Sequence, residues 1–184
     1  MTDQSGEQPR FPLLMRILHW LMAAMVLSML FIGMAMVSSL VNYHWLLSIH
    51  RPLGILILLL VVIRFINRKL SKLPPFPPTM SRAERRIAHI SEIMLYTLMF
   101  SLPLVGWAML SAGDYPIVMV GPIHLPQILP ANPALFAVLR MTHTILAYLL
   151  LLTFLGHLSA VLLHTLVLQD GLLRRMWVWK TPSK

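Results

Sequence analysis

The chain has 184 residues, of which 58% are hydrophobic and only 11% are charged, and its mean hydropathy is +0.75. Soluble domains average about 25% charged residues, so this composition excludes an ordinary soluble fold and indicates a membrane protein. The sequence contains no cysteine, which excludes disulfides, iron–sulfur clusters and thiolate-ligated iron.

Four hydrophobic segments follow one another along the chain and predict a single membrane domain over residues 1–184. The segments cover about 17–40, 46–66, 87–111 and 135–168. Each has about 20 or more mostly apolar residues, the length that an α-helix needs to cross about 30 Å of hydrocarbon. Proline-rich sequence separates the second segment from the third and the third from the fourth, and proline interrupts helices. The predicted fold class is an all-α membrane protein, a bundle of four transmembrane helices.

The basic residues are unevenly divided between the two sides of the predicted bundle. One side carries Arg10, Arg16, Arg64, Arg68, Lys69, Lys72, Arg82, Arg85, Arg86, Arg174, Arg175, Lys180 and Lys184. The other side carries only Arg51 and Arg140. The positive-inside rule therefore places both termini in the cytoplasm. Because the net charge of +9 lies in these flanks, it is explained by membrane topology and does not indicate nucleic acid as a partner.

Four histidines lie on the hydrophobic segments, where an imidazole is costly to bury unless something binds it. The predicted topology puts His50 and His143 toward the outer surface, and His19 and His157 toward the inner surface. His143 and His157 are 14 residues apart, so they share one helix face about 21 Å apart along the axis. Pairing by depth joins His50 with His143 and His19 with His157. Each pair can hold one non-covalent b-type heme between two helices.

His164 is the alternative partner for His19, because it lies seven residues after His157 and hence on the same helix face. It would lie about 32 Å from His143 along the helix, more than the hydrocarbon thickness of about 30 Å. The pairing of His19 with His157 is therefore preferred. His164 is then a candidate for a hydrogen bond to a quinone or to a heme propionate.

Two further sets of polar residues are candidates for contacts with a cofactor or substrate. His89 and Glu92 are one turn apart at the inner end of the third segment, where they predict either a hydrogen-bonded pair or a proton-handling quinone site. Arg51 and Arg140 lie beside the two outer histidines. They would pair with heme propionates or form a cationic entrance for an anion such as superoxide.

The chain also carries a series of short motifs whose order and spacing, taken together, are specific. They are Leu18-His19-Trp20, His50-Arg51-Pro52-Leu53-Gly54, Val62-Ile63-Arg64, Ala88-His89, Leu102-Pro103, Thr142-His143-Thr144, Gly156-His157 and residues 169–176. In these motifs the chain resembles the bacterial cytochrome b561 family over nearly its whole length. It departs from the family at Arg51-Pro52, and it has His164-Thr165 where some relatives carry a His-His pair.

The resemblance implies a four-helix cytochrome of the bacterial inner membrane with two heme b groups. It implies axial ligation of the heme irons by His19, His50, His143 and His157. It also implies an oxidoreductase that carries electrons to ubiquinone or a similar quinone, with superoxide as the donor in the family's better-understood member. Two alternatives stay open. One is an electron-transfer subunit for a partner dehydrogenase or hydrogenase, and the other is a heme-free membrane anchor or small transporter.

Overall fold

The computed structural model describes residues 9–77, 79–119 and 121–178. The helices are α1 (Leu13–Ser38), α2 (Tyr43–Leu70), α3 (Arg82–Ala112), α4 (Pro133–Leu162) and a short α5 (Leu172–Met176), with a π-helical turn (Leu163–Val167) directly after α4. The four long helices are each long and apolar enough to cross a membrane. This confirms the predicted all-α membrane protein with four spanning helices. Lys180 and Lys184, which the predicted topology counts as cytoplasmic, lie outside the described residues.

The helices do not end where the hydrophobic segments end. α2 continues to Leu70 and α3 begins at Arg82, so both include basic residues, which are good helix formers and can extend a helix beyond the hydrocarbon. Ser81 caps α3 by accepting a hydrogen bond from the Glu84 backbone, and the Glu84 side chain accepts one from the Ser81 backbone. α1 ends at Ser38 rather than at residue 40, because the next residue is extended.

The fourth segment is the one that departs from regular helix. Asn132 caps it through a 3.0 Å hydrogen bond from the Leu135 N–H to the Asn132 side chain, and Pro133 occupies the first turn. The predicted single helix over 135–168 is α-helical only to Leu162 and then forms the π-helical turn. A π turn changes which residues face the bundle, so heptad spacing does not hold across it.

The core lies at the middle of the bundle. It consists of Met22 and Val26 from α1, Ile57 and Val61 from α2, Leu98, Met99 and Leu102 from α3, and Leu150 from α4. α1 packs on α2, α2 on α3 and α3 on α4, whereas α4 does not pack closely along α1 or α2 within the described residues. In the spaces between α4 and these two helices, His143 of α4 faces His50 of α2, and His157 of α4 faces His19 of α1.

Loops cover both ends of the bundle. At one end the loop over 113–132 is fixed by a 2.9 Å hydrogen bond from the Trp107 indole N–H to the Pro126 carbonyl. At the other end the guanidinium of Arg175, which is only 4% exposed, donates to the carbonyls of Pro9 and Pro75. Arg175 therefore joins the segment before α1, the connector between α2 and α3, and the segment after α4.

Candidate functional site

The first pair of facing histidines joins α2 to α4. The ring centroids of His50 and His143 are 6.3 Å apart, and the ring planes are inclined by 64°. Two imidazoles on opposite sides of one metal ion lie at a similar separation, because two bonds of about 2 Å and two ring radii of about 1 Å add to about 6 Å. The rings are therefore spaced to bind one iron from both sides.

The ring nitrogens of this pair support the same interpretation. Nδ1 of His50 and Nδ1 of His143 are buried and form no hydrogen bond within the described residues. Buried polar atoms without a partner are rare and require an explanation. A heme iron between the rings would bind one nitrogen of each imidazole and so offset the cost of burying both rings.

α3 approaches the His143 ring at a glycine. A Cβ atom added at Gly106 would lie 3.3 Å from Cε1 of His143 and 3.5 Å from its Nδ1. The 3.3 Å distance is tighter than usual for a Cβ atom, so a side chain here would push against the ring. Gly106 therefore allows α3 to support the imidazole without displacing it.

The second pair of facing histidines joins α1 to α4. The ring centroids of His19 and His157 are 6.5 Å apart, with the planes inclined by 63°. Trp20 packs edge-on against His19 at 5.7 Å between centroids, and its indole N–H donates to the Met176 carbonyl. The depth argument from the sequence pairs the same residues that face each other in the structure.

The two pairs fit heme better than a bare metal ion. Each provides two imidazoles at the separation that one iron requires, with apolar side chains between helices around them. Within the described residues, no group of three or more His, Cys, Asp or Glu side chains is arranged to hold a metal ion by itself. A heme needs only two protein ligands, because the porphyrin supplies the other four.

Arg51 and Arg140 lie near the His50–His143 pair and differ in how they are held. Arg51 donates from Nη1 to the Pro116 carbonyl at 3.3 Å, while its Nε is buried and has no hydrogen bond in the part of the chain that the structure describes. Arg140 is exposed on α4, one turn before His143. Arg51 therefore joins α2 to the α3–α4 loop through one of its N–H groups, whereas Arg140 contributes charge at the surface.

Glu92 and His89 are not an isolated pair. The Glu92 carboxylate forms an ion pair with Arg68 of α2. Nδ1 of His89 lies 4.0 Å from the same Glu92 carboxylate. The His89 side chain is 64% exposed. The main partner of Glu92 is thus an arginine on the neighbouring helix, and His89 faces outward.

His164 lies in the π-helical turn and is bound to Asp170. Its Nδ1 is 2.6 Å from the Asp170 carboxylate, and the two side chains are only 7% and 8% exposed. The same carboxylate accepts a 3.1 Å hydrogen bond from the Leu172 N–H, at the start of α5. This dyad joins the end of α4 to the following segment, and the ring facing His19 is that of His157.

The sequence interpretation assigned Arg64 to the topology count and gave it no role at the site. In the structure, its Nε donates to the Tyr96 hydroxyl at 3.0 Å, and its Nη1 is buried without a hydrogen bond within the described residues. It lies 14 residues after His50 on α2, about four turns further along the same helix face. The available signal was its position inside a spanning helix, where an arginine is expensive and usually has a function.

Comparison with known proteins gives a family and two curated relatives. A family model described as prokaryotic cytochrome b561 matches residues 10–179. Cytochrome b561 homolog 2 of Escherichia coli (strain K12) is 29% identical over 171 residues, which cover 91% of this chain and 90% of the relative. The probable superoxide oxidase CybB of Yersinia pestis is 33% identical over 132 residues, which cover 72% of this chain and 74% of that protein.

Proposed function

This chain belongs to the prokaryotic cytochrome b561 family, and on that premise we propose that it is a diheme cytochrome carrying electrons across the inner membrane to a quinone. Family membership makes it a multi-pass membrane b-type cytochrome of electron transfer. The number of hemes, the donor and the acceptor are the proposal. The observation that carries it is the repetition of one arrangement, with facing imidazoles 6.3 Å and 6.5 Å apart at two depths.

Each heme, when bound, supplies an iron that takes up and releases one electron. The protein's part is to hold and separate the two groups. His50 and His143 bind at the outer level, and His19 and His157 bind at the inner level, in each case through neutral imidazole nitrogen. The two α4 ligands are about 21 Å apart along the helix. Leu150, which lies midway between them, is buried in the core and helps to exclude water.

The donor and acceptor are proposed from the relatives and from the charges at the two ends. We assign superoxide as the donor at the outer surface, because Arg51 and Arg140 supply positive charge beside the outer pair. Two superoxide anions become two molecules of dioxygen by losing one electron each. One quinone takes up the two electrons with two protons and becomes quinol. Its candidate contacts are His89, Glu92 and His164 at the inner end.

A spectroscopic experiment on the purified protein tests this function. The reduced-minus-oxidised spectrum should show the α-band of b-type heme, and heme extraction should give two hemes per chain. Superoxide mixed with the oxidised protein in a stopped-flow instrument should reduce the hemes within milliseconds. If dithionite reduces the hemes but superoxide does not, the proposed donor is wrong. If the protein holds fewer than two hemes, the diheme arrangement is wrong.

A further inference from the structure

Arg64 is a cation in the spanning part of α2 with an incomplete set of partners. Its Nε donates to the Tyr96 hydroxyl at 3.0 Å, and its guanidinium carbon lies 5.8 Å from the centre of that ring. Its Nη1 is buried and has no hydrogen bond within the described residues. A neutral hydroxyl does not balance the charge, and a buried cation without an anion is unfavourable. The environment of Arg64 therefore lacks an anion.

The next arginine along the same helix face, Arg68, has the anionic partner that Arg64 lacks among the described residues. Arg68 lies one turn further on and forms an ion pair with Glu92 of α3. That carboxylate is therefore already engaged, and in the described part of the chain Arg64 itself forms no ion pair. Arg64 and Arg68 are only one helical turn apart on α2. A neighbouring arginine therefore has a carboxylate partner, and the lack of one at Arg64 is a feature of that position.

That position is beside the inner histidine pair. Arg64 lies 14 residues after His50 on α2, just as His157 lies 14 residues after His143 on α4, so each is about 21 Å further along its helix and on the same face as the first residue. A guanidinium on α2 thus approaches the space between two other helices where the inner heme is proposed to bind. Heme b carries two propionate carboxylates, and arginine pairs well with carboxylates because it presents a planar set of N–H donors.

We propose that Arg64 binds a propionate of the inner heme, and that the Tyr96 hydroxyl holds the guanidinium in position. The positive charge then favours the ferrous state of that iron over the ferric state. Arg64 is a positioning residue that makes the inner site a better electron acceptor than it would be without this charge. This inference rests on the proposed function, because it requires a heme between His19 and His157.

The test is a spectroelectrochemical titration of the intact, heme-loaded protein. In Arg64→Gln, the ferrous-to-ferric ratio of one heme should fall about tenfold at a fixed potential, which corresponds to about 59 mV for a one-electron couple. The other heme should titrate as in the wild type. Arg64→Lys keeps the charge and should shift less. Arg82→Gln removes an exposed cation at the start of α3 and should change neither heme.

Infrared redox-difference spectra separate a propionate contact from a distant charge effect. The carboxylate bands of one heme should shift in Arg64→Gln, and Tyr96→Phe should shift the same bands less while retaining both hemes. If both hemes of Arg64→Gln titrate as in the wild type, or if Arg82→Gln shifts them equally, the inference is overturned. A wild-type protein without two hemes would instead overturn the proposed function, so the two failures are distinguishable.

Discussion

The outer and inner histidine pairs have nearly the same geometry and very different surroundings. The ring separations are 6.3 Å and 6.5 Å, and the inclinations are 64° and 63°. Around the outer pair, α3 approaches the His143 ring closely at Gly106. The α3–α4 loop lies over this end of the bundle and accepts a hydrogen bond from Arg51. At the level of the inner pair, α2 carries Arg64, and the Met176 carbonyl accepts a hydrogen bond from the Trp20 indole N–H.

If each pair binds a heme, as we propose, this difference in surroundings would make the two heme sites unequal. The facing imidazoles decide that iron binds, because they set the distance between the ligands. The neighbouring charges and backbone decide how readily each iron is reduced. In a cytochrome that moves electrons in one direction, such inequality is useful, because it sets which site an electron prefers.

The largest effects are expected from removing one α4 ligand from each pair. His143→Ala should remove the outer heme and His157→Ala the inner heme, because a single imidazole holds a non-covalent heme weakly. Heme content should fall from two per chain to one in each variant, and the remaining heme should titrate differently in the two proteins. His124→Ala, in the exposed α3–α4 loop, is the matched control. Two hemes in both ligand variants would contradict the pairing.

A smaller effect on heme binding, confined to the outer site, is expected from a side chain at Gly106. In Gly106→Val, the new Cβ atom would lie 3.3 Å from Cε1 of His143. Overpacking of this kind destabilises the folded state by about 1–3 kcal/mol. Outer-heme occupancy should fall while the inner heme is retained. In Gly33→Ala the added Cβ meets nothing within 4 Å, so both hemes should remain. Equal loss of both hemes in Gly106→Val would show that the glycine serves the whole bundle.

Removing charge at the outer end should slow the reaction with superoxide and leave heme content unchanged. Arg51 lies beside His50, and a cationic entrance raises the rate of association with an anion by about tenfold or more at low ionic strength. Arg51→Gln should therefore reduce superoxide oxidation by about that factor, and the remaining rate should depend less on salt. Reduction by an uncharged reductant should not change. A salt-independent wild-type rate would rule out this role for Arg51.

The sequence predicted the features that depend on how deep a residue lies in the membrane. It missed those that depend on how each helix is rotated about its own axis. Segment length and hydrophobicity predicted four spanning helices, and the depth of His19 and His157 along them predicted that these two residues face each other. Rotation was not accessible, because α4 is apolar around its whole circumference and Leu150 is its one buried residue among those described. The contact of Arg64 with Tyr96 and the binding of His164 by Asp170 both depend on it.

The smallest effect on heme binding is expected at His164, and it distinguishes this histidine from His157. His164→Ala removes the 2.6 Å contact between the imidazole and the nearly buried Asp170 carboxylate, which keeps its hydrogen bond from the Leu172 N–H, and the loss of a hydrogen bond to a charged group costs about 1.5–3 kcal/mol. Thermal unfolding in detergent should occur at a lower temperature, while both hemes and their potentials stay as in the wild type. His157→Ala, by contrast, should lose the inner heme. If His164→Ala also lost that heme, the ligand opposite His19 would have been misassigned, and the π-helical turn would have to present His164 to the iron.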